Sequence, residues 1–292
     1  MEDLVAKAEE NVGWIILVIF LFSMGLATVE FFWEWHQKKL TKWRLKEMLS
    51  SFLVFIPAQL TEKAATATFA AGFFLLYNFI PWHIPVNGWT VLLAILVIDF
   101  LYYWEHRWEH EIRLLWSYHS IHHSSPIYNY TTALRVSFID NFVTWVFYLP
   151  AVAMGFHPVV VLVAIVFILT YQFWIHTELI RKMGWFEFVF NSPSHHRVHH
   201  GSDDIYLDKN YGALLIIWDR MFGTFQKEIH PPTYGLTKQI ETINPINVHL
   251  FEYKGIFKDL RKARNLREVL GYLFRKPGWV PVEGSVPKRR LL

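Results

Sequence analysis

The sequence contains no cysteine. Disulfides and thiolate–metal sites are therefore excluded, and any metal held by this chain takes nitrogen or oxygen ligands. Charge is scarce too. Only 18% of the 292 residues are Asp, Glu, Lys or Arg, against about 25% in ordinary globular domains. The net charge of +3 is too small to mark a nucleic-acid-binding surface, so no nucleic-acid partner is expected. No cleavable signal is expected either: the opening residues MEDLVAKAEEN are acidic rather than basic, and no small-residue cleavage pattern follows the apolar run behind them. Neither an internal repeat nor a low-complexity linker interrupts the sequence.

What the chain has instead is apolar and aromatic surface: 53% hydrophobic residues, with 25 Phe and 14 Trp. That balance suits lipid contact and interfacial aromatic belts. Four stretches lack Asp, Glu, Lys and Arg entirely: 12–29, 48–61, 64–98 and 141–177. The last two are broken at PWHIP and GFHP, which suit turns between helices. A helix needs about 20 apolar residues to cross the hydrocarbon of a bilayer. Lys38, Lys39, Lys42, Arg44 and Lys46 follow the first stretch. Lys254, Lys258, Arg261, Lys262, Arg264, Arg267, Lys288, Arg289 and Arg290 lie near the C-terminal end. Placing both groups in the cytoplasm predicts one inward crossing near 12–32 and an outward one within 48–80, with 48–61 interfacial. A third crossing at about 88–105 returns inward, and 138–176 forms a membrane hairpin. The expected fold is all-α: a polytopic membrane helical bundle with a cytoplasmic histidine-rich cap. It divides into an N-terminal transmembrane region (1–87), a catalytic domain containing the hairpin (88–226) and a basic cytoplasmic tail (227–292). The protein is expected to be an integral multi-pass protein of a bacterial inner membrane or the endoplasmic reticulum, its active site facing the cytoplasm.

The chain has 15 histidines, and nine fall in two short segments: His106, His110, His119, His122 and His123, then His195, His196, His199 and His200. The spacings are H-x3-H, H-x2-H-H and H-x2-H-H, the last preceded by His195. Residues i, i+3 and i+4 share one helix face. Imidazole titrates near neutrality, so a bare cluster would partly charge and repel itself. Metal binding removes the conflict, because the ligand is neutral imidazole. Eight or nine imidazoles exceed what one ion uses while leaving a position open for chemistry, so two metals with about four each are expected. Spacing alone admits zinc as well as iron. Two rival readings use the same residues. His106-Arg-Trp-Glu109-His110 matches the inverted zinc-peptidase signature with Glu109 as base, but leaves seven of the nine histidines unused. A metal transporter places its ligands within spans, near the midplane, whereas these histidines follow the spans.

The boxes HRWEH, HSIHH and HHRVHH, set after hydrophobic spans, resemble the fatty acid hydroxylase and sterol desaturase superfamily. YQFWIHTE (171–178), NSPSHHRVHHG (191–201), DKNYG (208–212) and LIIWDRMFGTF (215–225) look more specifically like its alkylglycerol monooxygenase branch and the bacterial relatives of that branch. The resemblance covers about 90–226. It implies a non-haem di-iron centre of two iron ions that uses dioxygen to hydroxylate a lipid C–H bond of a fatty acyl chain, a sterol or an ether lipid; desaturation at the same site is the alternative outcome. The implied ligands are His106, His110, His119, His122, His123, His196, His199 and His200. His195 is a ligand or lies just behind one. His176 is a ligand or the anchor of a helix end. Asn191 holds a metal-bound water or caps the helix of the last box. Glu111 either supports a ligand imidazole or is a solvated helix charge. No HPGG haem motif is present, so electrons are expected from a separate donor such as a cytochrome b5, a ferredoxin or a tetrahydropterin. The substrate is expected to reach the site from the bilayer. His36, His83, His157, His230 and His249 are read as structural or solvated.

Overall fold

Residues 2–281 are described in a computed structural model. The basic residues Lys288, Arg289 and Arg290 lie outside the described residues. The architecture is all helical. Within the described residues, strand pairing is limited to isolated bridges, Phe190 with Leu215 and Gly201 with Tyr234.

Two long helices open the fold, α1 (Glu2–His36) and α2 (Lys42–Phe79). The Thr41 side chain caps α2 by accepting from Arg44 N. Stretch 48–61 is not a separate interfacial segment, because α2 runs unbroken through Pro57. Proline costs one main-chain bond inside a helix. Nearby, Asn141 Nδ2 donates to Ala58 O and Thr61 Oγ1 and ties that stretch to the chain beyond. α3 (Gly88–Glu111) starts in a reciprocal capping box between Asn87 and Thr90. After a single extended residue, Ile112, the chain turns into α4 (Arg113–His123).

The 138–176 segment is not a pair of equal helices. Its first arm consists of α5 (Asp140–Val143), a 3-10 turn (Thr144–Tyr148) and α6 (Leu149–Ala153). Only its second arm, α7 (Pro158–Trp174), is one continuous helix. Gly155 makes the break. Its φ is +96°, and a Cβ there would lie 2.9 Å from Trp82 O. The PWHIP and GFHP turns meet at this point, where Ile84 N donates to Gly155 O at 2.9 Å.

The core lies between α3, α7 and the C-terminal half of α2, with Phe73, Ala94, Ile98, Val161, Ala164 and Ile168 fully enclosed. Two helical segments, Leu17–His36 and Gly88–Glu111, are long and apolar enough to cross a membrane. α7 is apolar but shorter. The outward surface of the first two is unusually apolar: Val29 is 63% exposed and Trp89 83%.

The remaining α-helices close the fold around the ends of α3 and α4. They are α8 (Pro193–His199), α9 (Ile217–Phe222), α10 (Pro245–Leu260) and α11 (Leu266–Phe274). α10 packs against the bundle: Arg113 on α4 pairs with Glu252 at 2.8 Å and Asp259 at 2.9 Å. On α2, Ser50 Oγ donates to Ile243 O, and His249 Nε2 donates to Val54 O.

Candidate metal centre

Three helix ends and one helix exit converge on a single buried spot. The last turns of α3 present His106 and His110. Ile112, with φ −114° and ψ 114°, reverses the chain, so that α4 lays His119, His122 and His123 alongside them. Ser192 caps α8 by accepting from His195 N, and Pro193 opens its first turn. This places His196 and His199 on α8 and His200 at its end. His176 follows directly on α7.

These nine histidines form two groups. His106, His110, His119, His123 and His199 make the first; His122, His176, His196 and His200 make the second. Within each group the ligand nitrogens all lie within 4.8 Å of one another. Helix geometry sets which rings of one box stay together. Residues i and i+4 point nearly the same way, while i+3 and i+4 diverge by about 100°. On α4, His119 and His123 therefore enter the first group and His122 the second. On α8 the assignment is reversed, His196 and His200 entering the second group and His199 the first. Each H-x2-H-H box thus serves both groups.

The hydrogen bonds behind the rings set which nitrogen faces inward. His106 Nδ1 donates to Tyr211 O at 2.9 Å, His199 Nδ1 to Lys209 O at 3.0 Å and His176 Nδ1 to Gln172 O at 2.7 Å. His119 Nδ1 faces the Glu109 carboxylate at 2.9 Å. With the proton on Nδ1, each Nε2 of these rings carries a bare lone pair. Yet His106 Nε2 stands 3.1 Å from His119 Nε2. His176 Nε2 lies 3.1 Å from His122 Nε2 and 3.0 Å from His196 Nε2. The Nε2 atoms of His110 and His199 are buried with no partner. Lone pairs aimed at lone pairs repel unless a cation lies between them. Two all-nitrogen donor sets of this kind fit two divalent transition metals. Burial, followed by the neighbouring imidazoles, holds His122, His123, His196 and His200 well below the usual histidine range. Burial takes His199 down to about 3. All are neutral at physiological pH, the form a ligand needs.

The frame behind the ligands comes from 208–225. Asp219 accepts from Tyr211 N at 2.8 Å, Gly212 N at 2.7 Å and Thr224 Oγ1 at 2.6 Å. Asp99, buried in α3, accepts from Leu214 N, Leu215 N and Trp218 Nε1. Together they fix the loop whose Lys209 and Tyr211 carbonyls orient His199 and His106. Gly212 must stay small, since a Cβ would meet Leu215 O at 2.5 Å. Spacing does not reveal this frame, because its acting atoms are main-chain carbonyls. Asp99 gave the one sequence signal, as an acid standing directly after the charge-free run 64–98.

Other residues singled out in the sequence take different places. His195 lies outside both groups, its ring edge-on to Phe225 at 5.4 Å. Asn191 donates from Nδ2 to Gly212 O and accepts at Oδ1 from Ser192 N; Ser192, not Asn191, caps α8. Glu111 pairs with Arg107 at 3.3 Å and Lys276 at 3.6 Å. Glu109 faces the outer nitrogen of His119 rather than the middle of the group, which is not the position of a peptidase base. A cavity of about 210 Å³ borders His110, His123, His199 and His200, with Asp208 and Lys276 in its wall.

Residues 91–224 match the fatty acid hydroxylase family. Over 268 residues, 90% of the chain, the sequence is 40% identical to an alkylglycerol monooxygenase of Xenopus tropicalis. Over 266 residues it is 38% identical to an alkylglycerol monooxygenase of Homo sapiens. The chain spans 58% and 59% of the length of these two relatives. It is also 29% identical over 166 residues to the ornithine lipid hydroxylase OlsE of Rhizobium tropici, covering 52% of the chain and 47% of that protein. No solved structure matches.

Proposed function

We propose that this chain, whose residues 91–224 match the fatty acid hydroxylase family and which is similar to alkylglycerol monooxygenases, is a membrane-bound, non-haem di-iron monooxygenase of the fatty acid hydroxylase and sterol desaturase superfamily that uses dioxygen to hydroxylate a lipid C–H bond. The observation that carries the reading is the pair of buried imidazole groups whose bare Nε2 atoms face one another. His106, His110, His119, His123 and His199 hold one iron, and His122, His176, His196 and His200 hold the other. Bound iron supplies dioxygen activation and hydrogen abstraction from an unactivated C–H bond, chemistry that amino-acid side chains do not provide.

The chain's own part is to bind, orient and exclude water. The Nδ1 acceptors fix each ring so that Nε2 faces inward. Burial keeps the rings neutral and bulk water away. Of the three lipid classes open from the sequence, likeness to alkylglycerol monooxygenases favours an ether lipid. Hydroxylation of the carbon bearing the ether oxygen gives a hemiacetal, which collapses to an aldehyde and a free alcohol. The lipid enters from the bilayer, and a separate donor supplies electrons. The membrane arrangement we favour is multi-pass, with residues 88–226 as the catalytic domain and the histidines facing the cytoplasm. Two helical segments of spanning length and the strongly apolar outer surface of the bundle support it.

The test uses the full chain in detergent, loaded with ferrous iron and supplied with a reductant, alkylglycerol and labelled dioxygen. We expect two irons per chain and label in the oxygenated product. A double bond without label, or turnover that persists after iron is removed, overturns the reading.

A further inference from the structure

We propose that Glu109 is a positioning residue that makes the five-imidazole position the tighter of the two metal positions. The inference rests on the two-metal reading above. Glu109 is buried, at 5% exposure, on the inner side of α3. Its Oε2 lies 2.9 Å from His119 Nδ1. The opposite nitrogen, His119 Nε2, stands 3.1 Å from His106 Nε2 and 3.2 Å from His123 Nε2. The imidazole is therefore clamped between the carboxylate and the metal position. Glu109 is not itself a ligand, because the ring stands in between.

This backing differs from that of the other rings. His106, His199 and His176 donate to neutral main-chain carbonyls, and His196 Nδ1 has no partner. Asp208 lies 3.8 Å from His110 Nδ1, beyond hydrogen-bond distance, and its side chain is 43% exposed, so solvent screens it. A buried carboxylate behind an imidazole N–H holds the tautomer, pushes electron density toward the far nitrogen and offsets cation charge. The first position thus has five imidazoles, one of them backed by a buried carboxylate, whereas among the described residues no carboxylate pairs with any of the four at the second. Unequal affinity follows. Removing the charge should act on the first position and spare the second.

The experiment measures binding, not turnover. The metal-free full chain in detergent is titrated with cobalt(II) in competition with a chromophoric chelator. The wild type should take two ions with unequal affinities. In Glu109→Gln, which keeps shape but loses charge, the tighter constant should weaken about 10- to 100-fold while the weaker one holds. The unchanged second constant reports that the chain is still folded. Glu111→Gln, which removes a neighbouring but outward-facing carboxylate, should shift neither constant by more than about twofold. In a His119→Ala background, Glu109→Gln should add almost nothing, because its route to the metal is gone. Overturning results are both constants unchanged in Glu109→Gln, an equal loss in Glu111→Gln, or a full additional loss in the His119→Ala background. A wild type that takes fewer than two ions fails the two-metal reading itself, a result distinct from the others.

Discussion

At the scale of single residues, identity matters less than where each ring nitrogen is aimed. His176 and His195 flank the same site in sequence, yet only His176 has its Nε2 among other ligand nitrogens, 3.0 Å from His196 Nε2. His176→Ala should therefore remove one of four ligands, weakening the second metal position by more than about 100-fold and abolishing turnover. His195→Ala should retain both ions. Metal analysis of the two purified variants decides, and two ions retained in His176→Ala would refute its ligand role. A different histidine governs acid sensitivity in the tail. Burial pushes His249 below the usual histidine range, and its Nε2 donates to Val54 O at 3.2 Å. Its folded value lies below its unfolded value of about 6.5, so protons bind the unfolded chain preferentially as pH falls through that range. The stability it contributes is present at neutral pH and is lost on acidification. Wild type should thus melt above His249→Asn at pH 7.5, with the gap closing toward pH 5. A gap that stays constant across that range would exclude the mechanism.

At the scale of elements, the histidines come from the end of one long helix, α3, and from short elements that must be held in place around it. α8 spans only Pro193–His199, too short to be stable alone. Its position is set by the Ser192 cap and by Arg197, which donates to Thr177 O and Ile180 O and pairs with Glu228 at 2.7 Å. The loop 208–215 depends on Asp99 and Asp219 in the same way. Burial drives Asp219 up to about 6 despite the hydrogen bonds it accepts, a measure of how enclosed that carboxylate is. Asp219→Ala strands two main-chain N–H donors and should cost about 3 kcal/mol of stability. Because Tyr211 O and Lys209 O move with the loop, metal binding should weaken at the five-imidazole position first. Thermal melting and cobalt titration of the variant test both effects together, and a stable variant with native affinity would show that the loop orients nothing.

At the scale of the whole molecule, the apolar exterior and the buried histidines place opposite demands on solvent. The first is met by lipid, the second by enclosure. In the arrangement we favour, the turn at His83 and the loop at Asp204 lie on opposite faces of the membrane, since α3 runs from one toward the other. The cysteine-free sequence makes this directly measurable. In intact cells, a membrane-impermeant maleimide should label His83→Cys and leave Asp204→Cys untouched until the membrane is opened. Labelling of both from outside would reverse or abolish that topology.

The sequence by itself determined the all-helical class and the clustering of nitrogen ligands, because these follow from composition and from the fixed 100° step of a helix. His119, His122 and His123 share a face in any helix, whatever surrounds it. Tertiary structure alone decided which ring joins which group. His199 pairs with α3 and His196 with the exit of α7 only because α8 is held at one angle between them. Tertiary structure also placed Glu109, rather than Glu111, behind an imidazole, since the turn at Ile112 brings α4 back along one side of α3 and not the other. The long-range contacts that set these choices run through main-chain carbonyls and buried carboxylates, which leave no periodicity in the sequence.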